Sequence, residues 1–303
     1  MHLRVEEYTV VIPEMLVPLY IRASRRNRPY ATEAGARRHL EQRKLHPEPF
    51  GPPRTMGGDV VVDMTRRNGW PVYTIAPSGM RPSGAVVYAH GGGWVNEIVR
   101  QHWQLIGQIA VEARTTVVVP IYPLIPFGTA EDVVGEFVDI VRESRDEYGD
   151  VRLAGDSAGG QIALSTALEL RDRHGIVLNR TVLIAPAVDL TWSNPLIPEV
   201  QPDDPWLAVP GARYFSETWR AELPVDDQRV SPIFGDFVGL GPVTVFSGTH
   251  DILNPDARRL VSELVRAGVD VDFYEQASRL HVYPLLPTAS GREARRIIVE
   301  ELS

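Results

Sequence analysis

The chain contains no cysteine and a single lysine, Lys44, in 303 residues. The first absence excludes disulfides, thiolate metal sites and a cysteine nucleophile. The second leaves arginine to supply the positive charge, a codon-usage signature of a GC-rich bacterial genome rather than a physical requirement. Positive charge is itself scarce: the formal net charge is -8 and the pI is near 5.5. That balance argues against a nucleic-acid partner. Long apolar runs are missing too. The N-terminal stretch from Val10 to Ile21 is broken by Pro13, Glu14 and Pro18, and Arg22, Arg25, Arg26 and Arg28 follow it. A signal peptide has the opposite order and a membrane span needs about 20 apolar residues, so the expectation is a cytoplasmic protein with no stable membrane insertion. No internal repeat or low-complexity tract is present.

What the chain does have is enough apolar material, 44% of its residues, for one large α/β domain or two small ones. It also has one hexapeptide around which the rest is arranged, Gly155-Asp156-Ser157-Ala158-Gly159-Gly160. An apolar run (Val151, Leu153, Ala154) precedes it and a helical pattern from Ile162 to Leu170 follows. The segment reads as strand, sharp turn, helix. A serine hydroxyl needs to stand clear of the chain to act as a nucleophile, and such an elbow holds it in a strained backbone region. Gly155 and Gly159 flank it because side chains there would clash. The helix start directly after Ser157 offers free N–H groups and a positive dipole end, where an oxyanion would form.

Around this elbow the pattern alternates. Residues 1 to about 57 read as amphipathic helices (Met15, Leu16, Leu19, Tyr20, then Ala34 to Leu45) with a Pro-rich connector, Pro47 to Pro53. Their arginines fit a solvated helix face better than a membrane-surface helix, the apolar residues being few. Short β-branched runs at Val60–Val62, Val72–Ile75, Ala85–Tyr88, Val117–Ile121, Val182–Ala185, Val243–Phe246 and Val271–Tyr274 read as buried strands. Between them lie a helix from Thr129 to Tyr148 capped by Thr129, the helix ending at Gly175, one capped by Asn254 with Pro255 first and Gly268 last, and one opened by Ser290. This order implies a mostly parallel sheet covered on both faces. Residues 187 to 240, rich in Pro, Asp and Trp, break the rhythm and read as an inserted, largely helical segment.

His90-Gly91-Gly92-Gly93-Trp94 closes the strand that begins at Ala85. Three successive glycines leave N–H groups bare for a developing oxyanion. A phosphate loop is the competing reading, but neither a G-x-G-x-x-G spacing nor a following Gly-Lys-Ser/Thr is present. A serine nucleophile needs a base and the base an acid. Asp251, after the strand at Val243, and His281, after the strand at Val271, stand in the chain order Ser, Asp, His. His250 adjoins Asp251 in sequence and would point away from it, while His174 is a helix C-terminal cation. His2, His39, His46 and His102 fall on predicted helices or tails. Asp256 competes as the acid, but in a helix first turn it suits dipole compensation better.

The pair His90–Trp94 and Gly155–Gly160 resembles the signature of the hormone-sensitive-lipase-like branch of α/β-hydrolases, the bacterial carboxylesterases and acetyl-hydrolases. The likeness extends through Tyr122-Pro123-Leu124-Ile125-Pro126, Glu131-Asp132, Ser231-Pro232 and Gly248 to Leu253, over roughly residues 85 to 285. It implies an α/β-hydrolase fold of residues 58–186 and 241–303, with a cap from residues 1–57 and 187–240. It implies Ser157 as nucleophile, Asp251 as acid, His281 as base, and an oxyanion hole from the N–H groups of Gly92, Gly93 and Ala158. His90, Gly91, Trp94, Tyr122, Gly155, Asp156 and Gly159 would support the site, His90 by ordering its loop rather than by carrying protons. No cofactor or metal is called for. Two departures stand out: Tyr122 to Phe127 replaces the family's Tyr-Arg-Leu-Ala-Pro-Glu, and Val282-Tyr283 replaces the Gly-Phe that usually follows the histidine.

The expected function is hydrolysis of a small-molecule ester with a short- to medium-chain acyl group. An amidase or lactonase on the same machinery stays open, as does a non-catalytic small-molecule receptor on a hydrolase scaffold. The oligomeric state is left open between monomer and homodimer.

Overall fold

A computed structural model describes residues 11–53 and 59–303, with the backbone of residues 2–3. Among the described residues nine strands form one sheet in the order β1-β2-β3-β5-β4-β6-β7-β8-β9. They are β1 (His2–Leu3), β2 (Val60–Arg67), β3 (Trp70–Pro77), β4 (Ala85–Ala89), β5 (Thr116–Pro120), β6 (Val151–Asp156), β7 (Thr181–Ile184), β8 (Val243–His250) and β9 (Val271–Leu280). β1, β2 and β3 run antiparallel to their neighbours, and every pairing from β5 across to β9 is parallel. Asn68 and Gly69, both at positive φ, make the two-residue turn between β2 and β3 that a hairpin's twist favours. β4, β5 and β7 are buried at every residue, as strands with helices on both faces must be.

Successive strand residues feed opposite layers. Val87, Leu153 and Val245 pack toward α5 (Ala130–Tyr148), α6 (Ala158–His174) and α9 (Asn254–Arg266). Val86, Ala154 and Phe246 pack toward α4 (Arg100–Glu112) and α10 (Ala289–Glu301). The helix ends partly follow the sequence signals. Thr129 caps α5 through the Asp132 N–H, and Gly175 closes α6 in the left-handed region. Two caps differ. Thr288, not Ser290, accepts the Gly291 N–H at the start of α10. Asn254 lies inside α9, its amide drawn instead to Ser247 Oγ and Glu275 Oε1.

The N-terminal part contributes α1 (Leu16–Ala23), α2 (Arg28–Ala31) and α3 (Glu33–Leu45). Of the expected helical stretch 1–57, residues 1, 4–10 and 54–57 lie outside the described residues, and His2–Leu3 pairs as a strand with β2. In α1 it is Val17 and Ile21 that face inward, while Leu16, Leu19 and Tyr20, and Met15 just before the helix, are exposed. The two faces are thus the reverse of a simple amphipathic reading. Residues 187–240 carry α7 (Ile197–Val200), α8 (Val209–Arg220) and a short 3-10 turn, Pro232–Phe234. This is less helix than the composition suggests, because side chains such as Asp204, Asn194 and Gln201 satisfy the backbone of the irregular stretches directly. α2 and α3 both pack against α8, with Tyr30 of α2 edge to face on Phe215 of α8 at 5.6 Å.

Candidate active site

β6 ends at Asp156 and α6 begins at Ala158, which leaves Ser157 alone in the turn at φ 53°, ψ -117°. A serine stays in that region only when its surroundings over-determine it. They do so here through close backbone approach. A Cβ on Gly155 would lie 2.3 Å from the Gly159 carbonyl oxygen, and one on Gly159 would lie 2.0 Å from that of Ala89. The Ser157 N–H donates to the Ile184 carbonyl at 2.8 Å, tying the elbow to β7.

Asp251 and His281 follow β8 and β9 immediately, both strands being longer than their apolar runs suggested. The two strands pair with Gly248 opposite Gln276, then with His250 opposite Leu280, so β9 takes up two extra residues over this interval. This irregularity brings residue 281 level with residue 251 at the carboxyl edge of the sheet. Gly248 makes it possible: a Cβ there would sit 2.3 Å from the Arg279 carbonyl oxygen.

His281 bridges the two other residues. Its Nδ1 lies 2.8 Å from Asp251 Oδ2 and its Nε2 lies 2.9 Å from Ser157 Oγ. A carboxylate beside Nδ1 holds the proton there, which leaves the Nε2 lone pair toward the serine. Burial by itself would lower the His281 pKa. The Asp251 charge and hydrogen bond, helped by Asp204 and Asp156, outweigh it and raise the pKa above its ordinary value. Asp256 is elsewhere, accepting a 2.7 Å hydrogen bond from the Asn194 amide, with its own pKa pushed up to about 6 mainly by burial. Of the other described histidines, His102 hydrogen-bonds Asp156, the residue before the serine.

That contact was not legible in the sequence, where His102 reads as a helix residue. Its Nδ1 accepts the Val99 N–H at 3.0 Å, so the ring proton is on Nε2 and points to Asp156 Oδ2 at 3.1 Å. Asp156 Oδ1 also accepts from the Tyr88 hydroxyl and the Gly91 N–H, both at 2.9 Å. Burial pushes the Asp156 pKa up, but these donors bring it below the usual value. One buried carboxylate thereby links the elbow to the triple-glycine loop.

The loop is fixed from its other end by Trp94, which stacks on Trp219 at 5.6 Å. Both indole N–H groups donate to Gln161 Oε1. His90 is fully buried, stacked on Tyr122 at 4.4 Å, with Nδ1 donating to the Gly91 carbonyl. Its pKa falls to about 4 through burial first and His102 second, so it stays neutral. The Tyr122 hydroxyl donates to the His90 carbonyl at 2.8 Å. Between these anchors Gly92 and Gly93 take positive φ. Among the described residues, the N–H groups of Gly92, Gly93 and Ala158 donate to no protein acceptor.

A cavity of about 760 Å³ opens over Ser157 and His281. Gly92, Gly93, Trp206 and Leu207 line it, with Val17 and Ile21 of α1, Tyr30 of α2, and Leu285 to Pro287. Trp206 stands edge-on to the His281 ring at 5.9 Å. Just before it, Asp204 accepts the N–H groups of Trp206, Leu207 and Ile252, the last of them beside Asp251. Burial, then the Asp251 charge, push the Asp204 pKa up to about 6. Neither Asp204, Trp206 nor Gln161 carried a sequence signal beyond its polarity or size.

Residues 86–285 match the model of a family described as having the alpha/beta hydrolase fold. A triacylglycerol lipase of Mycobacterium tuberculosis is 32% identical over 229 residues, covering 74% of this chain and 47% of the lipase. This chain thus spans about half the length of that relative. An acetyl-hydrolase of Streptomyces hygroscopicus is 30% identical over 217 residues, 69% of this chain and 72% of its own. Among solved structures, an esterase of the bacterial hormone-sensitive lipase family superposes with a TM-score of 0.81 at 24% identity, over 97% of this chain and 98% of the esterase.

Proposed function

The chain belongs to the α/β-hydrolase family, and from that premise we propose that it hydrolyses carboxylic esters with Ser157 as nucleophile, His281 as base and Asp251 as acid. The observation that carries the reading is His281 standing within hydrogen-bond distance of both partners, 2.9 Å from Ser157 Oγ and 2.8 Å from Asp251 Oδ2. The names of the relatives, a lipase and an acetyl-hydrolase, point the same way.

In this reading Ser157 Oγ attacks the ester carbonyl carbon as its proton passes to His281 Nε2. The oxyanion settles against the N–H groups of Gly92, Gly93 and Ala158, which donate to no protein acceptor among the described residues. Asp251 holds the imidazole tautomer and steadies the imidazolium. Collapse breaks the ester C–O bond, and His281 returns its proton to the leaving alcohol. Water then attacks the acyl-serine by the same route, with His281 again as base, to release the acid and restore the hydroxyl.

Ile12, Val17, Ile21 and Tyr30 from the N-terminal segment and Trp206 and Leu207 from the 187–240 segment share the walls around Ser157, which supports reading the two segments as a cap. Aliphatic side chains at Val17, Ile21, Leu207, Leu285 and Leu286 suit a short- to medium-chain acyl group. Turnover of p-nitrophenyl esters from acetate to laurate tests this. The expected profile has its kcat/KM maximum at short or medium chains and is abolished in Ser157→Ala. Faster turnover of matched anilides than of esters would overturn the ester assignment.

A further inference from the structure

The outer face of the N-terminal cap segment is not explained by ester chemistry. Met15 is 77% exposed and Leu19 59%, and Val11, Leu16 and Tyr20 beside them are exposed as well. They share the short segment ahead of Arg22, Arg25, Arg26 and Arg28. Glu14 is the one acid between residues 11 and 32, and it is engaged by Ser290 and Arg279 on the body of the protein. Among the described residues none of the four arginines pairs with a carboxylate, and Arg26 lies over the Tyr20 ring at 5.6 Å from its centroid. An apolar face with four nearby arginines that have no carboxylate partner among the described residues thus stands out on a chain whose net charge is -8. It also adjoins the cavity mouth, where Ile12, Tyr20, Arg25, Arg26 and Arg28 all contribute to the wall.

Against the solvated face that composition alone suggests for this segment, and because its apolar residues turn outward, we propose that this face seats the enzyme on an anionic lipid surface, with Met15, Leu16 and Leu19 in the acyl boundary and the arginines among the headgroups. The chemistry selects the occupant. A lipid surface offers apolar depth beneath a layer of negative charge, which is what the segment complements. A second copy of the chain would bring the same four arginines against each other across a two-fold axis, where like charges oppose contact. The attachment is peripheral: among the described residues no helix is long and apolar enough to cross a membrane. The cavity mouth then faces the lipid, and an ester dissolved there reaches Ser157 without crossing bulk water.

Flotation of the Ser157→Ala protein with vesicles tests the docking apart from the ester reading, since no turnover is involved. Most of the protein should float with phosphatidylcholine vesicles containing phosphatidylglycerol, and at least tenfold less with pure phosphatidylcholine. Raising the salt to about 1 M should release it, the screening length then being about 3 Å. Met15→Asp combined with Leu19→Asp should cut vesicle binding at least tenfold while leaving kcat/KM for soluble p-nitrophenyl acetate and the thermal midpoint unchanged in the otherwise wild-type enzyme, because neither residue lines the cavity. Equal binding to both vesicle types, full binding by the double variant, or a dimer in sedimentation that the double variant splits would each overturn the proposal.

Discussion

Asp204 Oδ2 accepts the backbone N–H of Ile252 at 3.0 Å, one residue beyond Asp251, so a carboxylate from the 187–240 segment fastens the loop that carries the proposed triad acid. Its other oxygen holds the N–H groups of Trp206 and Leu207, and Trp206 in turn bounds the His281 ring. Asp204→Ala leaves three N–H groups without that acceptor, two of them at buried residues. At about 1–3 kcal/mol for each one left unpaired, the variant should lose roughly 3 kcal/mol or more of stability. Its kcat/KM should fall about tenfold through loosened placement of Asp251 and His281. Thermal melts and steady-state kinetics measure both, and an unchanged kcat/KM would remove Asp204 from the account.

The pH dependence follows from His281. In the proposed mechanism the neutral imidazole is the active form, and its pKa is raised, so activity should be lost as pH falls through a value above the ordinary 6.5 or so. Asp251→Asn removes the charge that raises it. The limb should then move to lower pH, and the rate should drop by roughly a thousandfold or more, because an amide can hold the imidazole in the wrong tautomer. Asp256→Asn should leave the profile in place, Asp256 being bound to Asn194 rather than to His281. A pH profile of kcat/KM for the three proteins decides between the two acids.

His102→Phe should weaken the protein rather than its chemical step. The variant strips Asp156 of the donor that does most to keep its buried carboxylate ionised, and a buried acceptor that loses its partner costs about 1–3 kcal/mol, more when it is charged. The sign on the pH axis is set by the depressed Asp156 pKa. Its stabilisation is present above the unfolded carboxylate value and is lost as pH falls through the lower folded one. Acid unfolding of the wild type should therefore show a component that His102→Phe lacks. Identical acid midpoints and identical melts would show that His102 does not hold the elbow.

Gly159→Ala tests the packing account of the elbow. A methyl group 2.0 Å from the Ala89 carbonyl oxygen has backbone against it and no flexible side chain to displace. The variant should be insoluble or melt far below wild type, whereas Gly135→Ala in α5, with open space around it, should be tolerated. Circular dichroism melts of the two variants side by side provide the comparison.

Much of this was legible in the sequence. The parallel strands showed as β-branched runs because burial on both faces leaves no polar positions, and the elbow showed because only glycine permits backbones to approach as they do around Ser157. The long-range partners were not legible. Nothing in the local pattern of α4 joins His102 to Asp156, 54 residues away, and nothing near Asp204 points to Ile252, 48 residues on. Both depend on how the layers close rather than on a spacing. The outward turn of Met15 and Leu19 was hidden for a different reason. Periodicity places residues on a face but does not say whether that face is the covered one.

The most direct measurement of the central claim is intact-mass and peptide mapping after treatment with a fluorophosphonate. The wild type should gain one adduct, located on Ser157, with loss of esterase activity in step with labelling. Ser157→Ala should gain none, and His281→Ala should label slowly or not at all for want of its base. An adduct on another residue, or full esterase activity in Ser157→Ala, would contradict the assignment of Ser157 as the nucleophile.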